Sequence, residues 1–240
     1  MRGFAHRGDS VDYPENTMLA FKKALETGIK GIELDVHLSK DNELVVIHDE
    51  NTERTYTEKF EIKDTQYHII DNLTPRRELF KKTNDCNICV LEDVLDILET
   101  YSDVVLNIEL KTDVHPYEGI EKRVIDLVHR YEMEDRIIIS SFNHDSLLRC
   151  QSIDKNLLYS PLYYKYEEDM VQKAVDNKFY ALHVSLMVLM QNRDVVAQAQ
   201  ENGLKVNVYT VNDPKHMRML QQANVDGIFT DDPKLFLEIF

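Results

Sequence analysis

No stretch of the 240 residues approaches the roughly 20 consecutive apolar positions of a membrane-spanning helix. The opening residues MRGFAHRGDS also lack an apolar run behind their charge, so neither a stable membrane anchor nor a secretory signal is expected, and the chain reads as cytoplasmic. Basic charge is scarce: 28 Lys and Arg face 43 Asp and Glu, a formal net charge of −15. That deficit argues against nucleic acid and anionic membranes, which bind through basic faces. Any phosphate-bearing partner must therefore be held locally. Three cysteines, Cys86, Cys89 and Cys150, make an odd count outside a secretory context and read as reduced thiols. The Cys86-x-x-Cys89 pair has neither the second pair of a zinc site nor the strand–helix setting of a thioredoxin-like motif, and reads as incidental. No flexible linker, low-complexity run or internal repeat divides the chain, so residues 1–240 are expected to form one domain.

What is present is a globular composition, 43% hydrophobic and 30% charged. Short apolar runs alternate with amphipathic stretches, the pattern of repeated strand–helix units around a parallel sheet. The strands expected are Arg2–His6, Gly31–Leu38, Val104–Leu110, Arg136–Ser141, Leu157–Leu162, Tyr180–Val184, Lys205–Val211 and Gly227–Thr230. Between them, Leu91, Val94, Leu95 and Leu98 share one helical face, as do Ile120, Val124, Leu127 and Val128. The first helix is expected to begin near Asn16 as its cap and stop at Gly28. Eight such units predict an α/β fold, a (β/α)8 TIM barrel, with a doubly wound sheet as the competing arrangement. The rhythm breaks after the second strand. A turn signal, Ser39-Lys40-Asp41-Asn42, leads into Leu44–Ile47, and the residues from Glu50 to Val90 then settle into no single period. They read as an insertion at the barrel mouth, with a small hairpin and a helical turn near Pro75–Lys82.

In such barrels the groups that do chemistry gather where strands end. Glu33 and Asp35 lie two apart on a strand and so share a face, and Glu109 and Lys111 repeat the spacing. With Ile32, Leu34, Val36, Ile108 and Leu110 turned toward the helices, the carboxylates point into the barrel, where unpaired charge is costly. Three converging carboxylates suit a hard divalent cation, Ca2+ or Mg2+, with Mn2+ as an alternative. Ion pairing to Lys or Arg is the structural reading of the same pattern. His6 and His48 each end a strand, and imidazole exchanges protons near neutral pH. Arg7 adds a planar, permanently charged fork suited to phosphate oxygens, and Gly8 permits close backbone approach.

Taken in order, these pieces resemble the glycerophosphodiester phosphodiesterase family. The matching segments are His6-Arg7-Gly8, Glu15-Asn16-Thr17, Glu33-Leu34-Asp35-Val36, Val46-Ile47-His48-Asp49 with Arg54-Thr55, Leu91-Glu92-Asp93-Val94-Leu95 and Asn107-Ile108-Glu109-Leu110-Lys111. Ser141-Phe142, Tyr209-Thr210-Val211-Asn212 and Gly227-Ile228-Phe229-Thr230-Asp231-Asp232-Pro233 follow downstream, so the resemblance spans the whole chain. It implies a (β/α)8 barrel with a small insertion after the second strand, and metal-dependent hydrolysis of glycerophosphodiesters to sn-glycerol 3-phosphate and an alcohol, in lipid and glycerol metabolism. It places the metal on Glu33, Asp35 and Glu109 and the acid–base work on His6 and His48. Arg7 and Lys111 would hold phosphate oxygens, and Phe142 and Tyr209 would line the glycerol and alcohol side of the pocket. The chain departs from the family where Tyr209 replaces the usual tryptophan and where a glycine-rich turn after Arg54-Thr55 is missing. Two other readings compete: a related phosphodiesterase for a lysophospholipid or phosphoinositide, and a noncatalytic barrel that binds a phosphate ligand. The oligomeric state is left open.

Overall fold

In a computed structural model describing residues 1–240, eight parallel strands close on themselves. They are β1 (Arg2–His6), β2 (Gly31–Leu38), β4 (Val105–Leu110), β5 (Ile137–Ser141), β6 (Leu158–Tyr163), β7 (Ala181–Ser185), β8 (Lys205–Tyr209) and β9 (Gly227–Thr230), while β3 (Leu44–Val46) runs antiparallel on β2. β1 pairs with β9 on one side and with β2 on the other, with Ala5 opposite Ile32, and this last pairing makes the sheet a barrel rather than an open doubly wound sheet. Gly31 sits at that seam. A Cβ there would lie 2.5 Å from the Gly3 carbonyl oxygen, so the two strands approach closely only because Gly31 has no side chain.

The alternation of each strand divides the apolar residues into two cores. Ile32, Leu34, Val36, Ile108, Leu110, Ile139, Val184 and Val208 belong to the large cluster shared with the surrounding helices. The barrel interior is plugged by Phe4, Ile138 and Phe229, with Phe4 and Phe229 stacked at 4.8 Å. Above this plug the inward residues turn polar, and there the site begins. No helix is long and apolar enough to cross a membrane.

Two local expectations change. The first helix (Met18–Glu26) is capped by Thr17, whose hydroxyl accepts from the Ala20 N–H, and not by Asn16, whose amide is instead turned inward to Asp35. The insertion holds four short helical turns, Ile62–Asp64, Tyr67–Ile70, Glu78–Phe80 and Asn84–Cys86, rather than one. They pack around a small core of their own, with Val45, Ile47, Tyr56, Ile62, Ile70, Leu73 and Ile88 buried. The three cysteines are buried and free.

Candidate active site

Within β2 and near the carboxyl end of β4, Glu33, Asp35 and Glu109 bring one carboxylate oxygen each within 4.8 Å of one another. Register explains the convergence: Asp35 lies opposite Glu109 on the neighbouring strand, and Glu33 is on the same face of β2. Glu33 and Asp35 are almost wholly buried. The main-chain N–H of Arg7 donates to Glu33 at 2.9 Å. Asn16 Nδ2 donates to Asp35 Oδ2 at 2.8 Å, and Arg7 Nε lies 3.1 Å from the same oxygen. Lys111 Nζ is 2.9 Å from Glu109 and 3.9 Å from Asp35 Oδ1.

Two cations thus face three carboxylates, and the ionisation of the acids divides accordingly. Burial, then the charges of Asp35 and Glu109, push the Glu33 carboxyl well above the usual carboxylate range. Burial also raises Glu109, against the pull of Lys111. At Asp35 burial is overcome by Arg7 and Lys111, which hold it ionised. Asp35 Oδ1 remains buried without a hydrogen-bond partner. An orphaned carboxylate oxygen among three all-oxygen donors fits a hard divalent ion, which would neutralise the surplus negative charge.

His6 ends β1, and the turn that follows it packs tightly. A Cβ at Gly8 (φ 83) would lie 2.6 Å from the Ala20 carbonyl carbon, so the turn after His6 can lie against the first helix only with glycine there. His6 Nδ1 is 2.7 Å from Asp231 Oδ1, and Asp231 is itself held by Ser10 and Asn212. His48 has the same kind of support: its Nδ1 lies 2.6 Å from Asp49, which accepts from Arg54. Each carboxylate accepts from the protonated Nδ1, leaving Nε2 as the nitrogen free to exchange a proton. Glu15, ahead of the first helix, bridges Arg7 at 2.9 Å and Arg54 at 2.7 Å.

One cavity of about 200 Å³ collects His6, Arg7, Glu33, His48, Glu109, Phe142 and Tyr209. Phe142 and Tyr209 meet edge to face at 6.1 Å. Lys111 reaches this group through its ion pairs to Glu109 and Asp35. The remaining wall includes Asn107, Leu162, His183 and Phe229. His183, on β7, is fully buried inside the barrel, bonded to Asn207 and edge-on to Phe229. The sequence offers Asp49 and Asp231 only as parts of longer motifs; that each carboxylate backs a histidine emerges from the fold.

The model of the glycerophosphoryl diester phosphodiesterase family matches residues 6–235. A protein named glycerophosphodiester phosphodiesterase from Caldanaerobacter subterraneus is 37% identical, the match covering 98% of this chain and 96% of that one. Another of that name from Bacillus altitudinis is 36% identical, its match covering 98% of this chain and 96% of that one. An Oleispira antarctica phosphodiesterase, solved in complex with the product sn-glycerol-3-phosphate, shares the fold with a TM-score of 0.89 at 24% identity, over 100% of this chain and 96% of that one.

Proposed function

Because the chain belongs to the glycerophosphoryl diester phosphodiesterase family, we propose that it is a cytoplasmic enzyme hydrolysing glycerophosphodiesters to sn-glycerol 3-phosphate and an alcohol. The observation that carries this reading is one cavity lined by Glu33, Glu109 and two carboxylate-backed histidines, with Asp35 converging on the same two acids. A divalent ion such as Ca2+ or Mg2+, held by Glu33, Asp35 and Glu109, would draw charge from a phosphate oxygen and acidify a bound hydroxyl.

Around it the side chains divide the remaining work. Arg7 and Lys111 hold phosphate oxygens by charge-assisted hydrogen bonds. One histidine takes the proton of the glycerol 2-hydroxyl as that oxygen bonds to phosphorus. The other gives its proton to the departing alcohol as the P–O bond breaks. Water then opens the resulting cyclic phosphate with the two roles exchanged. Phe142 and Tyr209 form the apolar wall against the carbon skeleton. With all three carboxylates ionised, as ion binding requires, Arg7 and Lys111 leave about one negative charge, which a divalent ion would outweigh and so favour an anionic phosphodiester. His6→Ala and His48→Ala are each expected to cut kcat by ~10²–10⁴. Near-normal turnover in either variant would refute its assignment.

A further inference from the structure

His37 follows Glu33 and Asp35 on the same face of β2, two residues nearer the mouth. It is fully buried, and both ring nitrogens are engaged: Nε2 lies 3.0 Å from the His48 carbonyl oxygen and Nδ1 2.9 Å from the Tyr117 hydroxyl. A carbonyl only accepts, so Nε2 carries the proton and donates it. The other nitrogen, Nδ1, is left to the Tyr117 hydroxyl.

Tyr117 is held for this contact. Its ring stands edge-on to His37 at 5.5 Å and to His115 at 5.9 Å. Its backbone has φ 39, a left-handed conformation that is strained for a non-glycine residue. The arrangement ties together three segments: the end of β2, the bend after β3 that carries His48, and the loop after β4 that begins at Lys111. The last main-chain bond that joins this bend to β2 runs from the Ile47 N–H to the Asp35 carbonyl, at 3.1 Å. Beyond it, His37 is the tether.

We propose that His37, fixed by Tyr117, is a positioning residue that sets the main chain of His48 and so aims its imidazole into the cavity. The proposal rests on the acid–base role assigned to His48, and a displacement of about 1 Å at such a group can cost ~10²-fold in rate. The test is a double-mutant cycle on hydrolysis of glycerophosphoethanolamine at saturating divalent ion, comparing wild type, His37→Leu, His48→Ala and the double variant. His37→Leu is expected to lower kcat ~10–100-fold with KM changed less than about threefold. In the His48→Ala background the same substitution should change kcat little. His37→Gln, which keeps one donor and one acceptor, should recover most of the loss. Tyr117→Phe, which removes a single hydroxyl, should show the same background dependence in smaller measure, even where His37→Leu fails to fold. Equal losses in both backgrounds, or an unchanged kcat in His37→Leu, would overturn the proposal. Near-normal turnover of His48→Ala would refute the acid–base reading beneath it.

Discussion

Replacing Glu33 with glutamine is expected to stabilise the metal-free protein while leaving it inactive. Two unit charges 4.8 Å apart, the outer limit of the separations among the three carboxylate oxygens, repel by about 3–4 kcal/mol at an effective dielectric of about 20. Arg7 and Lys111 offset part of that repulsion, and Glu33 offsets more by holding its proton above the usual 4.5. A net gain of about 1–2 kcal/mol at pH 8 remains, or ~3–6 °C in Tm for a chain of this size. The amide oxygen of the introduced glutamine can still accept from the Arg7 N–H, so that donor keeps its partner. Between pH 4.5 and the raised pKa the folded protein keeps the Glu33 proton while the unfolded chain releases it. Wild-type stability therefore falls relative to the variant as pH rises through this window. Thermal unfolding of both proteins in chelator at pH 5 and pH 8 measures the difference, which should be larger at pH 8. A divalent ion at ~100 times its Kd should then raise wild-type stability by about 2.7 kcal/mol and move the variant far less. A variant that is less stable than wild type at pH 8 in chelator, or that responds equally to the ion, would refute this electrostatic reasoning.

Two further outcomes follow from the groups around the carboxylates. Asp231→Asn removes the charge that orients His6 and should lower kcat ~10–100-fold with little change in KM; kcat near wild type would show that the 2.7 Å contact plays no part in turnover. His183 is held neutral by burial, its pKa lowered from 6.5 to about 3. It takes up a proton on unfolding, so its contribution to stability is lost as pH falls from about 6.5 toward 3, by up to ~1.4 kcal/mol per unit. Urea denaturation at pH 6.5 and pH 5 should show a shallower loss for His183→Gln than for wild type, and equal losses would contradict the assignment.

The barrel was legible because its strands are buried on both faces and read as apolar runs, while its helices keep a clear 3.6-residue stripe. The carboxylate cluster was legible for a related reason: the spacing of Glu33 and Asp35 fixes them to one face whatever the rest of the chain does. What stayed hidden depends on closure. Asp231 reaches His6 across 225 residues only because β9 pairs with β1. Asn16 looks like a helix cap by type, yet its amide is drawn to a buried carboxylate, and the cap falls to Thr17. The turns of the insertion run three or four residues, too short to show any period, and are held by a local core instead. His37 looks like the outer end of a strand until the bend after β3 folds over it.

In the proposed reaction three acids, a divalent ion and two histidines together cleave glycerophosphodiesters. Release of sn-glycerol 3-phosphate from glycerophosphoethanolamine by the purified protein tests it most directly, measured after chelation and again after Mg2+, Ca2+ or Mn2+ is restored. No release is expected in chelator, with recovery under at least one of these ions. Undiminished hydrolysis in chelator, or tight substrate binding without turnover under every ion, would contradict it.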